Sequence, residues 1–400
     1  MSSFKPSAKK TTAETGDPAT NGNTEVTERG PFRVIIVNAD VNNTVTIEGE
    51  SSKEVSLKPW QAAQLWVGEE RVVTADNPVA VLFGHPCSIR HNCTCGMLYA
   101  ALQPAKEEAQ TFFIPPHLAT DAEAETLVLL SQEKSANTMT FDPESPMVKT
   151  DGTVVLYRPG LLLSLIPEAD FAGCYVVKSI AGTDDFAVIV VNEIDKDKVR
   201  IGTEPLVGSD WQKLKGTDYV SVKVTLQSGI SIIWHTSSKI AVYFLGRKDG
   251  TLFGNPGHIV GKSPDFRGCA LTPLAVDIGE TAMGWRESLK YCRDKDLKML
   301  SFSNTEMHQL VSDRLIETKS DSLKEVWMGM RRSSLTGEWY WVDGQPAGDT
   351  FWGDGEPGAA HEGQCASMSL KNKKFVWSDE DCCKHIHPVC VKNPIFFSDS

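Results

Sequence analysis

The segment from Trp327 to Pro357 constrains this chain more than any other. It runs Trp327-Met328-Gly329-Met330, then Trp339-Tyr340-Trp341-Val342-Asp343-Gly344, then Phe351-Trp352-Gly353-Asp354-Gly355-Glu356-Pro357. Cys292 and Cys390 enclose it, with Cys365 and Cys382 inside that interval. Five of the ten tryptophans fall between Cys292 and Cys390, in short runs cut by Gly, Asp and Pro turns. That is the composition of a small, loop-rich domain stapled by disulfides and displaying a surface.

Four hundred residues exceed what one core commonly serves, so two domains plus tails are expected. The apolar content of 41% and mean hydropathy of -0.22 describe an ordinary soluble globular chain. A formal charge of -12 argues against nucleic acid or anionic membrane as partner, since either needs a basic face. No apolar run approaches the roughly 18 residues of a membrane span, and Leu161 to Pro167 is of strand length. The first 30 residues show no signal-peptide h-region. The ten cysteines nevertheless point to an oxidising, extracellular setting. If the chain is secreted, Asn42-Asn43-Thr44 and Asn92-Cys93-Thr94 make Asn42 and Asn92 candidate glycosylation sites.

Residues 1–30 are polar and aperiodic and read as a disordered tail. From Phe32 onward, short runs of branched residues alternate with turns: Val34 to Val37, Val45 to Ile47, Val55 to Leu57, Val72 to Thr74 and Val79 to Phe83. Similar runs continue to Leu245 and helical periodicity is scarce, so an all-β domain of β-sandwich type is expected over 31–262. Thr74 to Gly84 and Thr236 to Gly246 echo one another, each a polar turn, an apolar strand and a glycine, each after a strand with a tryptophan (Trp66, Trp234). The echo fits two related halves or a chance match of two strands.

Phe83-Gly84-His85-Pro86-Cys87, Cys93-Thr94-Cys95, Leu102-Gln103-Pro104 and Phe112 to Pro116 resemble the N-terminal domain of IgGFc-binding-protein-like proteins. The closing Ala241 to Gly246 and Leu252 to Gly257 are similar to the end of that domain. The resemblance implies an extracellular, mucin-associated or adhesive protein. Gly84 and Gly246 are expected to end strands where the chain turns, and Cys87 with Cys93 or Cys95 to close a short surface loop. Zinc on Cys93, Cys95, His85 and His91 is disfavoured for want of convergent ligands at established spacings.

A polar, Gly- and Pro-containing break at 263–268 reads as the linker to a second domain at 269–394, with 395–400 as a tail. Trp285, Leu289 and Cys292 share one face of a helix expected over Thr281 to Asp296. Ser303-Asn304-Thr305-Glu306 is a capping box for a second helix with Met307, Leu310, Val311 and Leu315 on one face. Helices followed by tryptophan-rich strands indicate an α+β domain.

Here the resemblance is to C-type lectin-like domains. Trp327-Met328-Gly329-Met330 looks like their core strand, Trp339-Tyr340-Trp341 with Asp343-Gly344 like their hairpin, and Phe351 to Pro357 like their long loop. Trp377-Ser378-Asp379, Cys382 and Cys390 match the ending. The resemblance implies Cys292–Cys390 and Cys365–Cys382 bridges, worth roughly 3 to 5 kcal/mol each in the chain-entropy view. Cys269 and Cys383 are left over: they pair, one stays free, or one bridges to another chain as a disulfide-linked oligomer.

In sugar-binding members of that family a calcium ion in the long loop chelates two sugar hydroxyls. The family's ligand positions are occupied here by Glu356 and Asp379, but also by Gly358, Gly363 and Ser378 where side-chain oxygens are required. Calcium wants six to eight oxygens, so weak binding at best is expected. Glu356, Glu362, Asp354 and Asp379 are the candidate ligand-binding residues, with Glu356 and Asp379 the candidate calcium ligands. His361, His385 and His387 read as ordinary polar positions, and Trp352 and Trp377 as core. No hydrolase elbow, Walker loop, zinc-protease or dinucleotide motif is present, so a non-enzyme is expected. The preferred function is an extracellular recognition or adhesion protein that binds a glycan or a protein without strong calcium dependence. A calcium-dependent lectin of innate recognition and a structural mucus or matrix component are the alternatives.

Overall fold

The computed structural model describes residues 24–26 and 32–397, apart from 49–51, 67–71, 92–93, 105, 107, 120–125, 132–135, 159–160, 249–250, 303, 319–322, 346, 360–362 and 372–373. The chain divides into two compact units, Met1–Pro264 and Asp265–Ser400.

Among its described residues the first unit is built mostly from strands, with the short α-helix Pro116–Ala119 and two 3-10 turns. Strand 33–38 alternates buried and half-buried residues, as period-2 patterning on a one-sided sheet requires. It pairs antiparallel with Ala62–Trp66 and Val79–His91, and the latter with Thr94–Leu102. Lys53–Leu57, Asn43–Glu48 and Val72–Ala75 form a second sheet. Numbered along the chain, the strands lie fourth, first, sixth, seventh in one sheet and third, second, fifth in the other.

The second half repeats that order. Tyr219–Thr225, Asp184–Asn192, Ala241–Lys248 and Thr251–Pro256 run in one sheet and Glu204–Pro205, Val199–Ile201 and Ile230–His235 in the other; outside these seven, Gln212–Lys213 edges the first sheet, and Cys174–Lys178 and His258–Gly261 extend the second. The echo seen in sequence is therefore one of topology. The tryptophans do not correspond: Trp66 sits on the fourth strand of its half and Trp234 on the fifth.

Gly84 and Gly246 lie inside their strands and do not end them. Gly84 is paired with Tyr99 and Gly246 with Phe253, and a Cβ on either glycine would overlap that aromatic neighbour. Each glycine thus lets an aromatic ring lie across the sheet. The expected turn at His85 to Cys87 is instead an irregularity in the pairing of a continuing strand. Asn92 and Cys93, and with them the proposed loop bridge, lie outside the described residues.

Between the halves runs a four-stranded sheet, Ala136–Thr140, Leu127–Ser131, Val154–Arg158 and Leu161–Ser164. Leu129, Val155, Tyr157 and Leu162 point into the first core, while Val128, Val154, Leu156, Leu161 and Leu163 point into the second. Burial on both faces explains why Leu127–Leu130, Val154–Tyr157 and Leu161–Leu163 are continuous apolar runs in the sequence.

Two stretches expected as tails carry strands. Thr24–Val26 pairs with Ile89 to His91, and Ile395–Phe396 pairs with Ala270–Thr272. The expected linker is packed: Ser263 and Pro264 leave no room for a Cβ on Gly173, and Asp265, only 3% exposed, holds Arg267 at 2.7 Å.

The second unit has a seven-stranded sheet. Its path runs Ala275–Ile278, His387–Lys392, Glu325–Arg332, Cys365–Ser369, Trp377–Glu380, with Lys298–Met299 and Trp339–Trp341 attached. Helix Trp285–Asp294 buries Trp285 and Cys292, and the Trp285 indole donates to the Met328 carbonyl at 2.7 Å. The other helix, Thr305–Thr318, is capped by Asn304, whose side chain accepts from Met307 N–H at 3.0 Å. Asn304 thus holds the role that the capping box assigns to Ser303. Cys292–Cys390 and Cys365–Cys382 are both bonded. Cys383 is free and exposed, and Cys269 is disulfide-bonded, so they do not pair with each other.

Candidate functional site

The rigid part of the site is aromatic. Trp327, Trp341 and Trp377 are fully buried, and Trp377 packs on Phe302, Trp341, Phe351 and Trp352 with ring centroids 5.5 to 5.7 Å apart. Trp339 is half-buried and packs on Trp352 at 4.8 Å, so it belongs to the rim of this core and not its centre. His308 stacks on Phe351 at 3.9 Å and is joined to the Phe375 carbonyl at 3.2 Å, and burial holds its imidazole below the usual histidine range. These rings anchor the start of the long loop, because Trp377 N–H donates to Phe351 O at 2.8 Å and Gly353 N–H to Trp377 O at 2.9 Å.

From that anchor the chain turns at Asp354-Gly355, where Gly355 takes φ 81° and Glu356 N–H returns to Gly353 O at 3.0 Å. The Glu356–Pro357 peptide is cis. The loop is then tied to strand Trp377–Glu380 by reciprocal contacts. Asp379 N–H donates to the Glu356 carboxyl at 3.2 Å, and Gly358 N–H donates to Asp379 Oδ1 at 2.7 Å. The other oxygen, Asp379 Oδ2, is buried and accepts no N–H or hydroxyl hydrogen from the described residues. A hydrogen bond between the Glu356 and Asp379 side chains, helped by burial, raises Glu356 above its usual range. A neighbouring carboxyl this close disfavours the charged form of Glu356.

The sequence-selected residues therefore separate. Glu356 and Asp379 meet; Asp354 stays exposed on its turn; Glu362, with His361, lies outside the described residues. Glu380 is taken up by Lys384, which bridges it at 2.8 Å to Glu325 at 3.1 Å. His387 is joined to Gly279 O at 2.7 Å, a fold contact and not part of a metal shell. Among the described residues no group of three or more His, Cys, Asp or Glu converges on a metal position.

Gly363 stands where the resemblance in sequence implies a carboxylate. A Cβ on it would lie 2.5 Å from Glu380 N, 2.6 Å from Asp379 C and 2.7 Å from Asp379 Oδ2. Asp379 and Glu380 of strand Trp377–Glu380 occupy the space that a side chain at position 363 needs. The remaining donor set of two carboxylates fills at most part of a calcium shell, and backbone carbonyls and water would have to complete it.

Arg332, which the sequence pattern did not single out, reaches the same loop. Its guanidinium donates to Gly337 O at 2.9 Å and to Gly358 O at 3.2 Å, while its backbone N–H donates to Gln364 O at 2.8 Å. A cation thus holds one of the loop's carbonyls. The signal available in sequence was only Arg331-Arg332 at the end of the core strand.

Comparison with known proteins now bears on this geometry. Residues 281–392 match the family described as Lectin C-type domain, and residues 14–176 match the family described as IgGFc binding protein. The chain carries both domains. The first 17 residues of the second match fall inside the stretch expected as a tail. Human IgGFc-binding protein is 24% identical over 257 residues, 52% of this chain and 5% of that protein. For the C-type lectin domain, human C-type lectin domain family 17, member A, is 27% identical over 108 residues, 27% of this chain and 26% of that protein. Lectoxin-Phi1 of Philodryas olfersii is 27% identical over 109 residues, 26% of this chain and 69% of that protein. This chain thus spans a small part of the first two relatives. Human lithostathine covers 30% of this chain and 82% of its own at 22% identity, TM-score 0.28. The cow carbohydrate-recognition domain of CD23 covers 30% and 87% at 24% identity, TM-score 0.26.

Proposed function

We propose that this chain is a non-catalytic, extracellular recognition protein whose C-type lectin domain binds a glycan or protein ligand through the loop from Gly353 to Gly358. Calcium is bound weakly and contributes little to that recognition. The observation that carries the reading is the closure of Gly363 onto Asp379 and Glu380, which removes both a ligand oxygen and the room for one. The Glu356–Asp379 contact adds to it, because it engages Glu356 with the neighbouring strand rather than with a cation. Two disulfides suit an oxidising compartment, and no helix among the described residues is long and apolar enough to cross a membrane.

Calorimetric titration of the full chain with calcium at neutral pH tests the reading. The expected result is a dissociation constant of about 1 mM or weaker, at the weak end of protein calcium sites. A tighter site that Glu356→Ala abolishes would establish the calcium-dependent lectin instead.

A further inference from the structure

A cleft of about 750 Å³ opens in the N-terminal unit where the two halves meet the segment that follows the shared sheet. That volume lies within the range of small-molecule sites. Leu165, Ile166 and Phe171 form its floor, each less than 8% exposed. The floor is fixed from behind: Leu165 N–H donates to Val154 O at 2.8 Å, Ile166 N–H to the Tyr243 hydroxyl at 3.0 Å, and Ser164 Oγ to Ala101 O at 2.7 Å. Those polar groups are already satisfied, so they hold the shape and leave binding to the rim.

The rim carries Lys239, Lys262, Asn255 and His258 from the second half and Gln103 from the first. Asp170 also lines the cleft, but Lys106 pairs with it at 3.1 Å. Lys239 and Lys262 are exposed and have no ion-pair partner among the described residues. Two uncompensated ammonium groups at one concavity stand out on a chain of net charge -12 and select an anion. Asn255 and Gln103 offer amides that both donate and accept, as a ring of hydroxyls requires. Phe171 is buried at 4% exposure, so apart from the His258 imidazole the lining has no open ring face on which a nucleobase could stack. We infer that this cleft is a second binding site, specific for an acidic saccharide of one or two rings, whose carboxylate or sulfate is held by Lys239 and Lys262.

The test uses the full chain and ligand-observed NMR titration with sialic acid, glucuronic acid, sulfated N-acetylglucosamine, neutral N-acetylglucosamine and adenosine monophosphate. The acidic sugars should bind at least about tenfold more tightly than the neutral one. Their affinity should fall as salt rises from about 50 to about 500 mM, because exposed ammonium groups are screened. The carboxylate and sulfate arms decide which anion the lysines prefer. Lys239→Gln with Lys262→Gln should weaken binding about tenfold or more, with an unchanged melting temperature and unchanged calcium titration. The inference is overturned if no acidic sugar binds, if the neutral sugar binds equally, if adenosine monophosphate binds better, or if the double variant retains full affinity. It is also overturned if Glu356→Ala removes the acidic-sugar signal, which would place that binding in the lectin domain.

Discussion

Replacing Gly363 by alanine tests the steric argument on which the calcium reading rests. The added methyl meets three atoms at 2.5 to 2.7 Å, two of them backbone and the third a buried carboxylate oxygen. Ordinary carbon contacts lie at about 3.5 to 4.0 Å, so one side must move by about 1 Å. Neither is free to do so. Gly363 is two residues from Cys365, bonded to Cys382, and Gln364 N–H is held by Glu380 O at 3.2 Å. Overpacking of this kind costs about 1 to 3 kcal/mol, and contact with backbone on a disulfide-closed strand pair places Gly363→Ala near about 3 kcal/mol. Urea unfolding followed by tryptophan fluorescence measures it as a shift in midpoint at constant slope. Gly348→Ala is the control, since a Cβ there meets nothing within 4 Å and its backbone is not left-handed. It should change stability by less than about 0.5 kcal/mol. If the two variants unfold together, the Gly363 closure is loose, and a side chain at that position could reach a cation after all.

Three further outcomes are expected. Glu356 has a raised native value relative to an ordinary carboxyl near 4.5, so its proton stabilises the fold below that pH and the contribution is lost as pH rises through the native value. Wild type should therefore lose stability relative to Glu356→Gln as pH rises above about 4.5, and a pH-independent difference in urea midpoint would contradict the raised value. His235 is held neutral: Nε2–H donates to Asp195 O at 2.9 Å while Nδ1 accepts from Ser237 and Ser238 N–H at 3.1 and 2.7 Å, and burial lowers its value below 6.5. Its contribution is complete above 6.5 and lost on acidification, so His235→Gln should cost about 2 kcal/mol at neutral pH and flatten the acid limb of the N-terminal unit's unfolding profile. Cys383 is free and exposed, so any disulfide-linked dimer on non-reducing electrophoresis should vanish in Cys383→Ser, and a dimer that survives must use another cysteine.

The two-unit architecture could be read from local patterns, because short branched runs and turn residues are imposed by each strand's own neighbourhood, and the character of both domains from their resemblance to known families. The pairings Cys292–Cys390 and Cys365–Cys382 followed from resemblance as well. Strand 154–158 shows the limit: its apolar run announced burial, but that burial serves two cores on opposite faces, which depends on what packs against each side. Gly84 was misread as a strand end because glycine permits both a turn and a close approach, and only the opposed Tyr99 decides between them. The halves share a topology that eleven-residue matches merely hint at.

At the long loop, the sequence by itself determined which side chains are missing: Gly358, Gly363 and Ser378 offer no carboxylate or amide oxygen. It also retained Glu356 and Asp379 as candidates. What only the tertiary structure decided is what became of the vacated space. Gly363 closes on strand Trp377–Glu380, Glu356 and Asp379 turn toward each other, and Arg332 arrives from the end of the core strand to take the Gly358 carbonyl. Composition along a chain records the donors that are present. Whether oxygens converge on a cation, on a neighbouring strand or on a guanidinium depends on distances between segments far apart in sequence, and those are set by packing.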